Sequence, residues 1–285
     1  MTMRLPDWIK VRVGADVHET RHLLRRYGLS TVCEEARCPN RNECFSKPTA
    51  TFMILGAGCT RKCGFCAVDH SGPQPVDEGE PDKVAGAAAE MGLKYVVVTS
   101  VTRDDLPDGG SRHFARTITA IRRRIPAAKI EVLTPDFRGD RDALRTVLDA
   151  GPDVFNHNVE TVERLYPVVR PDADYGRSLL LLREAAAAAS GILIKSGFML
   201  GLGETGEEVI DLLRDLHRTG CDFVTVGQYL RPSRNNLPVV EYITPQVFDN
   251  LRLIALGMGF KYAACGPLVR SSLNAEEMHG SANKT

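Results

Sequence analysis

From residue 51 onward the chain alternates short apolar runs with amphipathic stretches. The runs at 51–56, 94–100, 129–134, 153–159, 192–200 and 222–230 are rich in Val, Ile and Phe. Most are bounded by Gly, Pro or Asp, which predicts buried strands. Between them, 81–91, 111–125, 140–150, 176–189, 206–219 and 244–258 carry helical periodicity. Glu80-Pro81, Asp108 to Ser111 and Thr244-Pro245 are start signals, and Gly92, Gly151, Gly191 and Gly220 are stops. Six strand–helix repeats imply an α/β fold with a parallel sheet and right-handed crossovers, closed or nearly closed into a barrel. An open doubly wound sheet fits the alternation almost as well. Residues 1–50 read as an extension with a helix and a cysteine loop, 51–260 as the barrel, and 261–285 as a second extension. The polar tail beyond Asn274 is expected to be mobile.

Composition narrows the class. With 285 residues and 43% hydrophobic content, the chain buries a core without disulfides. Its 36 basic and 36 acidic residues cancel, so no basic excess points to nucleic acid. The densest basic run, Arg122-Arg123-Arg124, falls on a helix and reads as a solvated face. No apolar run approaches the roughly 20 residues that span a bilayer. The opening Met1-Thr-Met-Arg-Leu-Pro-Asp-Trp-Ile-Lys10 has no apolar signal segment, so a reducing, cytoplasmic setting is expected for the eight cysteines.

Six of those cysteines form two triplets, Cys33-x4-Cys38-x5-Cys44 and Cys59-x3-Cys63-x2-Cys66. Each gives three soft thiolates from a short loop, one fewer than a closed metal site needs. Three thiolates on a four-iron cubane leave one iron for an outside ligand, which suits chemistry better than a structural staple. Zinc is the competing reading, because His70 follows Cys66 and a Cys3His site could be drawn. The first triplet has no such fourth ligand, and its spacing is unlike paired C-x2-C knuckles. The second triplet directly follows the first predicted barrel strand, at the carboxyl end where parallel α/β barrels place their chemistry.

The Cys59-x3-Cys63-x2-Cys66 loop after a first strand resembles the radical S-adenosylmethionine superfamily. The upstream triplet narrows the likeness to the lipoyl synthase family. Further segments of the chain are similar to that family in order: Thr99-Ser-Val-Thr-Arg-Asp-Asp-Leu-Pro-Asp-Gly-Gly110, Phe155-Asn-His-Asn-Val-Glu-Thr161, Lys195-Ser-Gly-Phe-Met-Leu-Gly-Leu-Gly-Glu204, Gly227-Gln-Tyr-Leu-Arg-Pro-Ser233, Leu237-Pro-Val-Val-Glu-Tyr242 and Gly266-Pro-Leu-Val-Arg-Ser-Ser272. One departure is Leu273, where the family usually has tyrosine after the two serines.

The resemblance implies a partial (β/α)6 barrel of the TIM type, with an open side. A closed eight-stranded barrel would admit a long acyl arm only through its mouth. It implies insertion of two sulfur atoms at C6 and C8 of an octanoyl-lysine on a carrier protein, chemistry that a cofactor must supply. S-adenosyl-L-methionine and a [4Fe-4S] cluster on Cys59, Cys63 and Cys66 would generate the radical. A second [4Fe-4S] cluster on Cys33, Cys38 and Cys44 would give the sulfur, its fourth ligand Ser272, with Ser271 the alternative. The implied partners are octanoylated 2-oxoacid dehydrogenase E2 subunits and the glycine cleavage H protein, a flavodoxin or ferredoxin electron donor, and an iron–sulfur cluster carrier. Another radical sulfur-inserting enzyme, such as one similar to biotin synthase, is the alternative within this class.

Cofactor contacts are expected at strand ends: Thr99, Ser100, Asn158 and Glu160, with Arg103 and Asp104 on the same face. Gly201 and Gly203 would let the backbone approach the adenine. Lys195, an ionisable residue in an apolar strand, is either ion-paired or functional. Arg170 is expected in an ordinary surface bridge, His157 in a positioning role, and Cys221 and Cys265 as packing residues.

Overall fold

The structure is a computed structural model that describes residues 4–10, 18–46, 50–188, 191–273 and 275–282. Its sheet has eight strands in sequence order: β1 Ser30–Thr31, β2 Thr51–Ile54, β3 Tyr95–Ser100, β4 Lys129–Leu133, β5 Val154–Asn156, β6 Leu193–Leu200, β7 Phe223–Gln228 and β8 Tyr262–Gly266. Strands β2 to β8 are parallel, and β1 pairs antiparallel with β2. The ladder runs from β1 to β8 without closing, so the barrel is partial.

The six predicted strands are present, and the sheet extends beyond them. β8 adds a seventh parallel strand from the segment assigned to the second extension, and β1 adds an edge from the first. Both escaped the hydrophobic pattern for physical reasons. β1 has two residues, and β8 is an edge strand with Ala263 alone fully buried.

The helices are α1 His18–Tyr27, α2 Val32–Glu35, α3 Arg41–Ser46, α4 Glu80–Glu90, α5 Ser111–Arg124, α6 Arg141–Asp149, α7 Tyr166–Val169, α8 Tyr175–Ala188, α9 Gly206–Arg218, α10 Pro245–Met258 and α11 Ala275–Ala282. Their ends follow local chemistry. Thr205 and Glu208 form a capping box on α9, and the Asp140 side chain accepts from Asp142 and Ala143 N–H on α6. Gly92, Gly151, Gly191 and Gly220 all adopt positive φ, the conformation that makes glycine a stop. The last position predicted for the 176–189 helix lies outside the described residues. In the basic run on α5, Arg122 pairs with Asp153 and Arg123 with Asp82.

The expectation of a mobile tail is corrected over 275–282, which forms α11. Ala275 is buried with Tyr95, Val97 and Val154, and the His279 ring meets Tyr95 edge-on at 6.0 Å. Among its described side chains, one small residue and one ring make this docking contact. Residues 283–285 lie outside the described residues.

Alternation along the strands assigns two faces. Val96, Val98, Ile130, Val132, Phe155, Ile194, Val224 and Val226 belong to the large core beneath the helices. The other face carries Glu131, Asn156, Lys195 and Thr225 into the barrel interior, with Asn156 directly opposite Lys195 and Glu131 one pair along, opposite Val154. The loop after β1 and the loop after β8 meet where Asn40 Nδ2 donates to the Leu268 carbonyl at 2.6 Å.

Candidate functional site

A cavity of about 680 Å3 opens at the carboxyl ends of the strands. Its wall includes Cys33, Cys38 and Cys44 from the first triplet, Cys66 from the second, Asn158, Glu160, and the closing-loop residues Arg270, Ser271, Ser272 and Leu273. Residues more than 200 positions apart in the chain thus share one space.

The second triplet occupies the loop after β2. Leu55 enters it with φ of 68°. Cys59 N–H donates to the Asp69 carbonyl, Thr60 Oγ1 donates to the Thr102 carbonyl, and Gly64 N–H donates to the Val169 carbonyl. Between the cysteines, Arg61 turns inward and is buried. Its Nε and Nη2 donate to Asp104 at 2.7 and 3.0 Å, and Nη2 also donates to Asp136 at 2.6 Å. Thr102 N–H donates to Cys59 Sγ at 3.3 Å, the kind of bond that tunes a thiolate-held iron centre. Asn236 Nδ2 donates to the Cys66 carbonyl, tying the loop to the segment after β7.

In the first triplet Cys33 lies on α2, Cys38 in the turn that follows and Cys44 on α3, with Cys33 buried and the other two partly exposed. The turn between Cys33 and Cys38 needs Arg37 at φ of 51°. Burial pushes the Cys33 and Cys66 thiols up to about 12 and raises Cys63 as well. These thiols are therefore protonated until a metal displaces the proton. Among the described residues no three His, Cys, Asp or Glu side chains converge tightly enough for a single ion.

The strand-end residues divide. Asn158 and Glu160 line the cavity. Glu160 stands at φ of 67°, held by its N–H on the Gly197 carbonyl at 3.0 Å and by Met199 N–H on its own carbonyl at 2.9 Å. A non-glycine residue kept in that conformation marks a site where side-chain direction matters. Burial pushes the Glu160 carboxyl up while the Arg170 charge pulls it down. Arg170 is 8% exposed, which replaces the expected surface bridge. Its Nη1 donates to the Asn158 and Val159 carbonyls, while its buried Nε has no partner. That donor fits an anionic ligand beside Glu160.

The other expected contacts lie off the cavity wall. Thr99 donates its hydroxyl to the Leu133 carbonyl at 2.9 Å, whereas the buried Ser100 Oγ has no partner. At Gly201 a Cβ would stand 2.2 Å from Gln228 Nε2 and 2.5 Å from the Glu241 carbonyl, so its bareness makes room for the chain itself. Gly203, at φ of 106°, meets only Val240 at ordinary distance. Lys195 is fully buried and paired with Glu131. His157 lies between the Thr134 carbonyl at 2.9 Å and Ser178 Oγ at 3.1 Å, and burial lowers it to about 4, so it stays neutral. Cys221 and Cys265 sit away from the cavity in or against the core.

Ser271 and Ser272 differ in what holds them. Asn158 Nδ2 donates to Ser271 Oγ at 2.7 Å, and that hydroxyl lies 3.0 Å from Asn158 Oδ1. Lys195 Nζ donates to the Ser271 carbonyl at 2.6 Å. Sequence reading missed Arg61, Asp136, Glu131 and Asn40. Arg61 could have been suspected from its place between two cysteines.

Comparison with known proteins adds the following. A family model described as the radical SAM superfamily matches residues 53–216, and one described as the N-terminal domain of lipoyl synthase matches residues 1–38. Lipoyl synthase of Rubrobacter xylanophilus is 56% identical over 281 residues, 98% of this chain and 88% of that protein. That of Caldanaerobacter subterraneus subsp. tengcongensis is 55% identical, covering 97% of each. An Escherichia coli lipoyl synthase is 54% identical over 96% of this chain and 87% of its own. Among solved structures, methylornithine synthase PylB superposes with a TM-score of 0.55 at 15% identity, covering 91% of this chain and 85% of that one. Streptococcus suis SuiB bound to its precursor peptide gives 0.59 at 12% identity, covering 93% and 58%. These two likenesses speak to the fold alone.

Proposed function

The chain belongs to the lipoyl synthase family of the radical S-adenosylmethionine superfamily, and from that premise we propose how its residues divide the work. It is a sulfur-inserting enzyme that makes the lipoyl cofactor from an octanoyl-lysine, using S-adenosyl-L-methionine and [4Fe-4S] clusters. When bound, these groups supply hydrogen abstraction from unactivated carbon and the sulfur itself.

Cys59, Cys63 and Cys66 hold the cluster that works with S-adenosyl-L-methionine, and the Thr102 N–H on Cys59 Sγ tunes it. Glu160, Asn158 and the free Arg170 Nε face the polar end of that cofactor, an arrangement favoured by the orphaned buried donor. Ser100, with its unpartnered hydroxyl, suits a contact better than Thr99, Gly201, Gly203 or Lys195. Cys33, Cys38 and Cys44 hold the auxiliary cluster. Ser272 is the better fourth ligand, because the hydroxyl of Ser271 is already engaged with Asn158. An alkoxide binds iron more weakly than a thiolate does, which suits an iron that must leave. The acyl arm lies in the cavity, and its apolar length excludes water from the carbons that react.

The observation that carries this reading is the single cavity bounded by the first triplet, Cys66 and the two serines. We further read 1–50 and 261–285 as the units that build the auxiliary site, flanking 51–260 and lending β1 and β8 to its sheet. The carriers are octanoylated 2-oxoacid dehydrogenase E2 subunits and the glycine cleavage H protein. A flavodoxin or ferredoxin gives electrons, and a cluster carrier restores what turnover consumes. Eight free cysteines suit the reducing cytoplasm, and among the described residues no helix is long and apolar enough to cross a membrane.

The test is a single turnover of the reconstituted enzyme on an octanoylated carrier domain, followed by mass and by cleavage of S-adenosyl-L-methionine. Cys63→Ala should abolish cleavage. Cys38→Ala should spare part of the cleavage and lose sulfur insertion. Cleavage persisting in Cys63→Ala, or full product from Cys38→Ala, would reject the assignment of the triplets.

A further inference from the structure

Inside the barrel, four side chains from adjacent strands form a hydrogen-bonded polar set around Glu131: Tyr95 on β3, Glu131 on β4, Asn156 on β5, whose Oδ1 has no partner, and Lys195 on β6. The Lys195 and Glu131 side chains are each 1% exposed. Lys195 Nζ donates to Glu131 Oε1 at 2.9 Å and to Oε2 at 3.1 Å. The Tyr95 hydroxyl donates to Oε2 at 2.8 Å, and Asn156 Nδ2 donates to Oε1 at 2.9 Å. The carboxylate therefore has each oxygen filled twice, its full accepting capacity. An ammonium carries three protons. Two go to Glu131, and the third goes to the Ser271 carbonyl at 2.6 Å, 76 positions along the chain.

A buried ion pair is a weak source of stability, because desolvation offsets the Coulomb gain, and apolar residues of like volume hold a core as well. An apolar set could not grip a backbone carbonyl on a loop. Ser271 is gripped a second time through its hydroxyl by Asn158. Close packing supports both holds: at Gly227 on β7 a Cβ would stand 2.3 Å from the Val269 carbonyl, so the loop lies directly on the strand. Ser272 is the next residue, on the cavity wall beside the first triplet.

We propose that Lys195, braced by Glu131, Tyr95 and Asn156, is a positioning residue that holds the closing loop so that the Ser272 hydroxyl faces the first cysteine triplet. The inference rests on the reading of Ser272 as a ligand, yet its mechanical part is testable alone. Lys195→Met would strand a buried carboxylate and endanger folding, so the informative variant is Lys195→Met/Glu131→Gln, which removes both charges. The reconstituted holoenzyme is compared with wild type by amide exchange and by Mössbauer spectroscopy after 57Fe loading.

The expected result is roughly tenfold faster exchange in the peptide covering 266–273, with β3 and β7 unchanged. The signal of the oxygen-ligated iron should also weaken as it does in Ser272→Ala, with the iron on Cys59, Cys63 and Cys66 as internal standard. Unchanged exchange in 266–273, or an equal rise across the barrel, would overturn the anchor. Faster loop exchange with an unaltered iron spectrum would overturn its link to the ligand, provided that Ser272→Ala does alter that spectrum. If Ser272→Ala leaves the spectrum intact, the ligand reading itself fails, and the exchange result alone decides the anchor.

Discussion

Arg61 offers the sharpest test of how the second cysteine loop is held. Its side chain is 4% exposed, and that of Asp136, one of its two partners, is fully buried. Arg61→Ala therefore leaves a buried carboxylate with only the longer contact to Arg177 Nη1, at 3.5 Å, and frees the loop from Asp104 as well. Burial by itself would raise the Asp136 carboxyl, but the hydrogen bond and charge of Arg61 prevail and hold it at about 2, against 3.8 unperturbed. That depression corresponds to about 2–3 kcal/mol of interaction. Removing one member of a buried pair costs about 3–5 kcal/mol, and with Arg177 keeping part of the compensation the expected loss is about 2–4 kcal/mol. In a chain of this size, with about 2.1 cal/mol/K of unfolding entropy per residue, that is a fall in thermal midpoint of roughly 3–7 °C, read at one scan rate on reconstituted enzyme.

Arg61→Ala/Asp136→Asn separates stability from site geometry. The neutral amide no longer needs a cation, so at least about half of the lost stability should return. Cleavage of S-adenosyl-L-methionine should not return with it, because the loop still lacks its hold on Asp104. Arg61→Lys keeps charge but loses the planar fork and should fall between. A double variant no more stable than Arg61→Ala would refute the charge argument, and full cleavage in that variant would refute the positioning argument.

Three further expectations follow from the same geometry. Ser272→Ala should lose auxiliary iron readily and yield little product, whereas Ser272→Cys should keep near-normal iron yet turn over slowly because a thiolate holds iron more firmly; iron and sulfide analysis beside single-turnover yield decides this. Gly227→Ala should cost about 1–3 kcal/mol by overpacking and push Val269 outward, so that auxiliary iron falls while iron on the second triplet is kept. His157 is lowered by burial from 6.5 to about 4, so the unfolded chain takes up its proton first and stability falls as pH drops from 6.5 toward 4. By pH 5 the loss from this group is about 2 kcal/mol, and a His157→Gln enzyme should show a shallower fall in thermal midpoint between pH 7 and pH 5.

The six central strands were legible because they are buried on both faces, which leaves unbroken Val and Ile runs such as Tyr95-Val-Val-Val-Thr-Ser100. The edges were not, since an edge strand such as β8 keeps much of its surface exposed and loses that signature. Spacing located the cysteines but could not reveal Arg61 as their brace, because its partners Asp104 and Asp136 lie 43 and 75 positions away. Lys195 drew attention as a charge in an apolar strand. Its partner Glu131, in the equally apolar run Ile130-Glu-Val-Leu133, carried the same signal and passed unread. Two opposite charges in separate buried strands are evidence for each other, since neither is tolerable alone.

The two cysteine loops are held to different degrees, and the difference matches the role proposed for each. The second loop is fastened to Asp69, Thr102, Asp104, Asp136, Val169, Asp172, Asn236 and Leu237. The described bonds of the first loop run mostly within itself: Ala36 N–H to the Val32 carbonyl, Cys38 to Cys33, Cys44 to Asn40. Asn40 to Leu268, Thr20 to Phe45, Arg21 to Glu34 and Thr51 to Cys33 are among those that reach outside it. A centre that passes an electron and returns unchanged gains from a rigid frame, because every turnover needs the same geometry. A centre that gives up sulfur must open and be rebuilt, and a loop braced mainly by its own local bonds can yield without disturbing the barrel. On that argument the long-range ties of the closing loop, through Asn40, Asn158 and Lys195, do for the auxiliary site what Arg61 does for the other. On the proposed roles, they would restore one geometry after each opening.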